Sequence, residues 1–243
     1  MIEIKNLSKN FNKFTALNDI NVNFEDGQSV ALIGPNGCGK TTLIKSILGL
    51  NVLEKGDIIV NGESVKDHYK YRVHIGYMPQ IGRYPENMSI EDTIKMIKET
   101  RNIPENELDT ELLEAFQLEK MFDKKMRTLS GGTTQKVSAV LAFMFNPSII
   151  ILDEPTAGLD PLASEILKNK ILKEKAKGKL IIITSHLLSE LDDIVSEIVF
   201  MNEGKILVHQ SVEELMKETS TKKISDGIIS ILKNMKGEAR TQI

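Results

Sequence analysis

The run Gly34-Pro35-Asn36-Gly37-Cys38-Gly39-Lys40-Thr41-Thr42 fits the spacing G-x-x-x-x-G-K-[ST]. That spacing makes a phosphate cradle. Glycines let the backbone curl until successive N–H groups converge on phosphate oxygens. A helix starting at the lysine aims its positive end at the same anion. Lys40 can then reach the β- and γ-phosphates, and the Thr41 hydroxyl can ligate Mg²⁺. The flanks suit this chemistry. Val30-Ala31-Leu32-Ile33 reads as a buried strand before the loop, and Leu43, Ile44, Ile47 and Leu48 recur as one helix face after it.

Two further runs carry chemistry. In Ser148-Ile149-Ile150-Ile151-Leu152-Asp153-Glu154-Pro155 an apolar strand ends in two carboxylates. Such a strand delivers Asp153 to the carboxyl edge of a sheet, where open α/β folds bind ligands. There Asp153 suits Mg²⁺, held through water, and Glu154 suits a base for an attacking water. Alone, the pair reads equally well as a solvated strand end. The run Leu129-Ser130-Gly131-Gly132-Thr133-Thr134-Gln135-Lys136 precedes a helix bearing Val137, Val140, Leu141 and Met144. Ser130 is placed as its N-cap, and the glycines leave backbone N–H groups uncovered. This is either a second anion site or an ordinary capped helix.

These residues need a scaffold, and the 243-residue chain is long enough for one large α/β domain or two small ones. Its 41% hydrophobic and 27% charged residues are ordinary for a soluble globular protein. A net charge of −3 gives no basic field for nucleic acid. The single cysteine, Cys38, excludes an internal disulfide. Its simplest role in the loop is to be small; a regulatory thiol is the other reading. His68, His74 and His209 have no metal-ligand spacing. No apolar stretch reaches the roughly 20 residues that cross a bilayer, and the N-terminus has no secretory signal.

The elements follow from periodicity and turn residues. Short alternating runs at Ile2/Ile4, Ile20/Val22/Phe24, Ile58/Val60 and Ile75/Tyr77 suggest a small antiparallel sheet beside the loop strand. From residue 89 to 146 helices are expected, the first opened by a Ser89/Asp92 capping box and the last ending before Pro147. After Pro147, strand–helix alternation returns: strands at 148–152 and 180–184, helices at 163–175 and 187–193, and a hairpin through Glu203-Gly204. Such alternation implies a parallel, doubly wound sheet. Ser211 and Glu214 form a second capping box, and Ile224, Ile228, Ile231 and Met235 share one face of a final helix. That helix docks a partner or folds back on its own domain; amphipathic helices usually do the latter.

Taken together, these motifs resemble the ATP-binding cassette ATPases, the motor subunits of ABC transporters. Leu129 to Gln135 resembles the family's signature motif, Gly34 to Thr42 its phosphate loop and Ile149 to Pro155 its Walker B strand. Tyr77-Met78-Pro79-Gln80 is similar to the Q-loop, Ala157-Gly158-Leu159-Asp160 to the D-loop, and Thr184-Ser185-His186 to the switch histidine. Phe11 falls where the family stacks an aromatic on adenine. Thr133 departs from the bulkier residues frequent after the signature glycines, which bears on partner-side contacts.

The resemblance implies a phosphate-loop NTPase core of α/β class, with an antiparallel β subdomain and an inserted helical subdomain at about 86–146. The ATPase domain would span 1–220, followed by a C-terminal amphipathic helix at 221–243. It implies ATP and Mg²⁺, with Lys40, Gln80, Glu154 and His186 in catalysis and Thr41, Gln80 and Asp153 on the metal. Phe11, Gly34 to Thr42, Ser130, Gly131, Gly132 and Asp160 would contact nucleotide. It further implies a head-to-tail dimer of two copies. Since the chain carries no spanning segment, a separate multi-span permease would hold the dimer peripherally on the cytoplasmic face of the membrane. The short chain after the last strand suits export-type or copper-enzyme-maturation transporters. The alternative is a soluble member of the family, such as one serving iron–sulfur cluster assembly.

Overall fold

A computed structural model describes residues 1–66, 68–185 and 191–241, with side chains through 231 and at 233. The chain opens with a long hairpin, β1 (Ile2–Phe11) and β2 (Phe14–Phe24), then runs through β3 (Ser29–Ile33) into α1 (Lys40–Ile47). β4 (Lys55–Val60) and β5 (Glu63–Ser64) return to the hairpin, and β6 (Ile75–Met78) leaves it. Three helices follow: α2 (Ile90–Arg101), α3 (Glu111–Ala115) and α4 (Gly131–Phe143). The remaining order is β7 (Ile149–Asp153), α5 (Pro161–Ala176), β8 (Leu180–Thr184), β9 (Glu197–Asn202), β10 (Lys205–Ser211), α6 (Val212–Thr219) and α7 (Ile224–Thr241).

Two sheets result. One is antiparallel, in the order β2-β1-β4-β5; the other has the order β10-β9-β3-β8-β7-β6. In the larger sheet β9, β3, β8, β7 and β6 run parallel and β10 pairs antiparallel on β9. Its central strands β3, β7 and β8 are buried at every position, apolar runs with Ser29, Asp153 and Thr184 at their ends, because both faces are covered. The alternation divides them between two cores. Val30, Leu32, Ile149, Ile151, Leu180 and Ile182 face the antiparallel sheet and α1. Ala31, Ile33, Ile150, Leu152, Ile181 and Ile183 face the helices.

One expected strand changes sheets. Ile75 and Tyr77 alternate like the antiparallel strands, yet β6 pairs parallel with β7 through Ile75↔Ile149 and Met78↔Leu152. Alternation reports which face is buried, not which strand is the neighbour. The helical insertion is present as expected, and the Ser89/Asp92 and Ser211/Glu214 capping boxes both form. The expected helix at 187–193 lies largely outside the described residues. The final helix folds back: Ile224 and Ile228 are buried in the helix-side core with Leu215. Among the described residues, no helix is long and apolar enough to cross a membrane.

Candidate active site

The loop between β3 and α1 is shaped by its neighbours. A Cβ on Gly34 would lie 2.1 Å from the Met201 carbonyl oxygen, and φ there is 148°, so only glycine fits. Gly39 occupies the N-cap of α1 in a left-handed conformation with no side-chain cap. The first N–H groups of α1 are therefore not capped by a side chain. Cys38 is 3% exposed and belongs to the sheet-side core, with Sγ 3.8 Å from Lys40 Nζ. This packing fits a small filler. Lys40 is 8% exposed, and its ammonium donates to the carbonyls of Gly34 (2.7 Å) and Pro35 (3.1 Å). The loop thus holds a buried cation at its own mouth.

The carboxylates arrive from β7. Asp153 is buried, and its Oδ1 accepts a 2.6 Å hydrogen bond from the Thr184 hydroxyl at the end of β8. Register makes this contact, because Asp153 pairs with Thr184 across the two strands. Glu154 turns away from the strand with φ 52°, a conformation costly for a residue with a Cβ. Thr184 supports that turn: the Glu154 N–H donates to the Thr184 hydroxyl (3.0 Å) and carbonyl (3.2 Å). The Glu154 Oε2 then accepts from Gln80 Nε2 at 2.8 Å. Gln80 is itself held from behind, since the buried Gln135 of α4 donates to its carbonyl at 2.6 Å. Nearby Tyr77 has its phenol pushed up to about 12 by burial and by the charge of Asp153.

These side chains share one cleft of about 390 Å³, lined by Phe11, Phe14, Asn36, Lys40, Thr41, Gln80, Asp153 and Glu154 among others. The donor set of Thr41 hydroxyl, Gln80 amide oxygen and Asp153 carboxylate is all hard oxygen, with one carboxylate. That suits Mg²⁺, which takes few protein ligands and completes its shell with water and phosphate. His186 lies outside the described residues.

The signature residues do not reach this cleft within one chain. Ser130 caps α4, its Oγ accepting from the Thr133 N–H at 3.2 Å and lying 2.9 Å from the Thr133 hydroxyl. Asp160 caps α5 through the Ala163 N–H (2.9 Å) and pairs with Lys136 of α4 at 2.7 Å. The Lys136 hydrogen bond holds its carboxyl below the ordinary range. Thr184, Gln135 and Lys136 fall inside the motif runs without being assigned a role there, and Phe14 lies outside all of them. Thr184 was findable: it is the polar end of the strand next to Asp153.

A parallel sheet whose strand ends hold a glycine loop, a buried aspartate and an adjacent glutamate defines a phosphate-loop nucleoside triphosphatase. A family model described as ABC transporter matches residues 17–157, and the chain belongs to that family. It is an ATP-binding subunit, and its reaction is ATP hydrolysis. It is 30% identical over 244 residues to the uncharacterized ABC transporter ATP-binding protein YhaQ of Bacillus subtilis (strain 168), covering 98% of this chain and 81% of that one. It is 34% identical over 215 residues to the lantibiotic transport ATP-binding protein SrtF of Streptococcus pyogenes, covering 88% and 92%. A solved ATP-binding subunit of an ABC transporter superposes with a TM-score of 0.89 at 29% identity, covering 96% of this chain and 99% of that chain.

Proposed function

We propose that two copies of this chain, arranged head to tail, close on ATP and drive a separate membrane-spanning subunit. The observation that carries this reading is the division of the motifs: the phosphate loop, Gln80, Asp153 and Glu154 share a cleft, while Ser130, Gly131 and Gly132 begin a helix outside it. The exposed amides of Gly131 and the neighbouring turn would meet the γ-phosphate of a second copy, as helix N-termini meet anions. ATP then ties the copies together, and its cleavage separates them, a ligand-biased switch.

Within each copy the roles follow from position. The loop amides and Lys40 hold the phosphate tail. Thr41, Gln80 and Asp153 would hold Mg²⁺, which when bound neutralises charge on the β- and γ-phosphates. Glu154 takes the proton of the attacking water, and Gln80 fixes the carboxylate that does so. His186 is assigned to the γ-phosphate on its motif alone. Residues 1–220 form the ATPase domain in this reading, with 86–146 as the inserted helical part that meets the membrane partner and 221–243 as its C-terminal helix. The chain would sit on the cytoplasmic face. An export direction completes the proposal, and the copper-enzyme-maturation type is its narrowest form.

The test is the mass of the purified Glu154→Gln chain by light scattering. With Mg-ATP it should double, and without nucleotide it should be monomeric. A monomer under both conditions sinks the dimer. Co-purification of a multi-span membrane protein with the tagged chain tests the second half, and transport by the pair in proteoliposomes tests direction.

A further inference from the structure

The cleft contains an aromatic that the family motifs do not account for. Phe14 opens β2 directly opposite Phe11, which closes β1. Opposed residues on an antiparallel pair stand on one face of the sheet. Both rings line the phosphate-loop cleft, and both are open, Phe11 at 46% and Phe14 at 60% exposure. Between them lies the tight turn Asn12-Lys13, with Asn12 in the left-handed region at φ 54° that asparagine tolerates.

This hairpin tip is a cantilever. The last β1–β4 pair is Ser8↔Lys55, and β1 slips register on β2 on either side of Lys9. Beyond that point β1 has β2 as its sheet partner and no longer pairs with β4, so sheet pairing holds the tip from one side. One carboxylate adds a further hold. Glu54, the residue before β4, accepts from Lys9 Nζ at 2.7 Å through Oε1. Its Oε2 accepts from the Asn10 side-chain amide at 3.1 Å and the Asn10 N–H at 3.3 Å. Asn10 passes the restraint to the other strand, its Oδ1 accepting from the Thr15 hydroxyl at 2.8 Å. Lys9, once held, places its ammonium 5.2 Å from the Phe11 ring centroid, a cation–π contact that restrains that ring.

We propose that Phe14 is a second side chain that contacts the nucleotide base, and that Glu54 is the positioning residue that presets the Phe11/Phe14 pair over the phosphate loop. The proposal rests on the nucleotide reading of the cleft. Stacking on aromatics is tolerant of ring identity and strong per base. A pair of rings fixed before binding gains that contact without the cost of ordering a loose loop.

The test separates base from phosphate. Affinities of Mg-ATP and of inorganic tripolyphosphate are measured by calorimetry for the full chain and for Phe14→Ala, Phe14→Tyr and Glu54→Ala. Phe14→Ala should weaken ATP roughly 5- to 100-fold, the range of one lost base stack, and leave tripolyphosphate unchanged. Phe14→Tyr should restore ATP binding. Glu54→Ala should weaken ATP about 2- to 5-fold, as for an exposed ion pair, and have no further effect once Phe11 and Phe14 are both alanine. Unchanged ATP affinity in Phe14→Ala overturns the proposal, as does an equal loss for tripolyphosphate, which would mean the tip merely supports the loop. A Glu54 effect that persists without the rings removes its positioning role. A parent chain that binds neither ligand defeats the nucleotide reading itself; one that binds both, with variants that bind alike, defeats only the platform.

Discussion

Gln80 Nε2 and Glu154 Oε2 are 2.8 Å apart, joined by a hydrogen bond between residues 74 positions apart in sequence. Adjacent strands make the contact, since β6 pairs with β7 two residues before each of these side chains, at Met78↔Leu152. The carboxylate proposed as the base is thus oriented by the segment that follows β6. The Glu154→Gln chain should bind ATP normally and hydrolyse it at least 10²-fold more slowly, the usual loss on removing a general base. Gln80→Ala should slow hydrolysis less, because it removes one hydrogen bond to the carboxylate and not the carboxylate itself. Phosphate-release rates under saturating ATP check both, and wild-type turnover in Glu154→Gln would refute the role.

In the proposed mechanism Lys40 contributes binding before it contributes chemistry. Its ammonium already sits on the Gly34 and Pro35 carbonyls, so little rearrangement separates this arrangement from one that contacts phosphate. Lys40→Ala should lower ATP affinity about 10- to 100-fold, the span of a lost charged hydrogen bond. Titration calorimetry measures it, with circular dichroism to show that the fold persists.

The sites legible in the sequence are those where local chemistry and position coincide. The apolar runs of β3, β7 and β8 announce strands covered on both faces, and Ser89/Asp92 and Ser211/Glu214 announce helix starts, because caps act within four residues. What escaped is set by pairing across the chain. Thr184 stands in the run leading to His186, and nothing in that run marks it as the partner of Asp153 until register places it there. Ile75 to Met78 carries the right alternation but no mark of its sheet. Asp160 reads as a nucleotide contact, yet within this chain it caps α5 and pairs with Lys136.

Gly76 explains how β6 reaches its place. A Cβ there would meet the Ala142 carbonyl oxygen at 1.9 Å and Pro147 Cγ at 2.7 Å. β6 therefore lies against the α4 backbone, close enough for Gln135 to hold the Gln80 carbonyl. Gly76→Ala must push the strand off the helix. Overpacking of this kind costs about 1–3 kcal/mol, so the melting temperature should fall by roughly 2–12 °C. Hydrolysis should slow as well, because Gln80 moves with the strand. Calorimetric melting and a turnover assay check the two effects, and an unchanged melting temperature would contradict the close contact.

The helical insertion is tied to the core by buried charge, which makes its stability depend on pH. Lys170 of α5 is 1% exposed and donates to Asp109 (2.5 Å) and Glu111 (2.9 Å) at the start of α3, and it pairs with Glu174 at 3.0 Å. Glu174 also receives Lys177 (2.8 Å) and Lys179. Burial works to raise the Glu174 carboxyl, but hydrogen bonds from Lys177, Lys179 and Lys170 outweigh it and take it from 4.5 down to about 2. Burial likewise opposes the Lys170 charge, and its carboxylate partners raise it above the ordinary range. A depressed acid stabilises the fold fully above its unfolded value and loses that contribution as pH falls towards its folded value. A raised lysine keeps its contribution until pH exceeds 10.5, so at pH 7 both are in force. Stability from urea unfolding should therefore decline between pH 4.5 and about 2 with a component that Glu174→Gln removes. At pH 7 that variant should be less stable by about 1–3 kcal/mol, since the buried Lys170 and the nearly buried Lys179 each lose a charged hydrogen bond, while Lys170 keeps Asp109 and Glu111. Parallel acid limbs in the two chains would show that Glu174 does not carry the dependence.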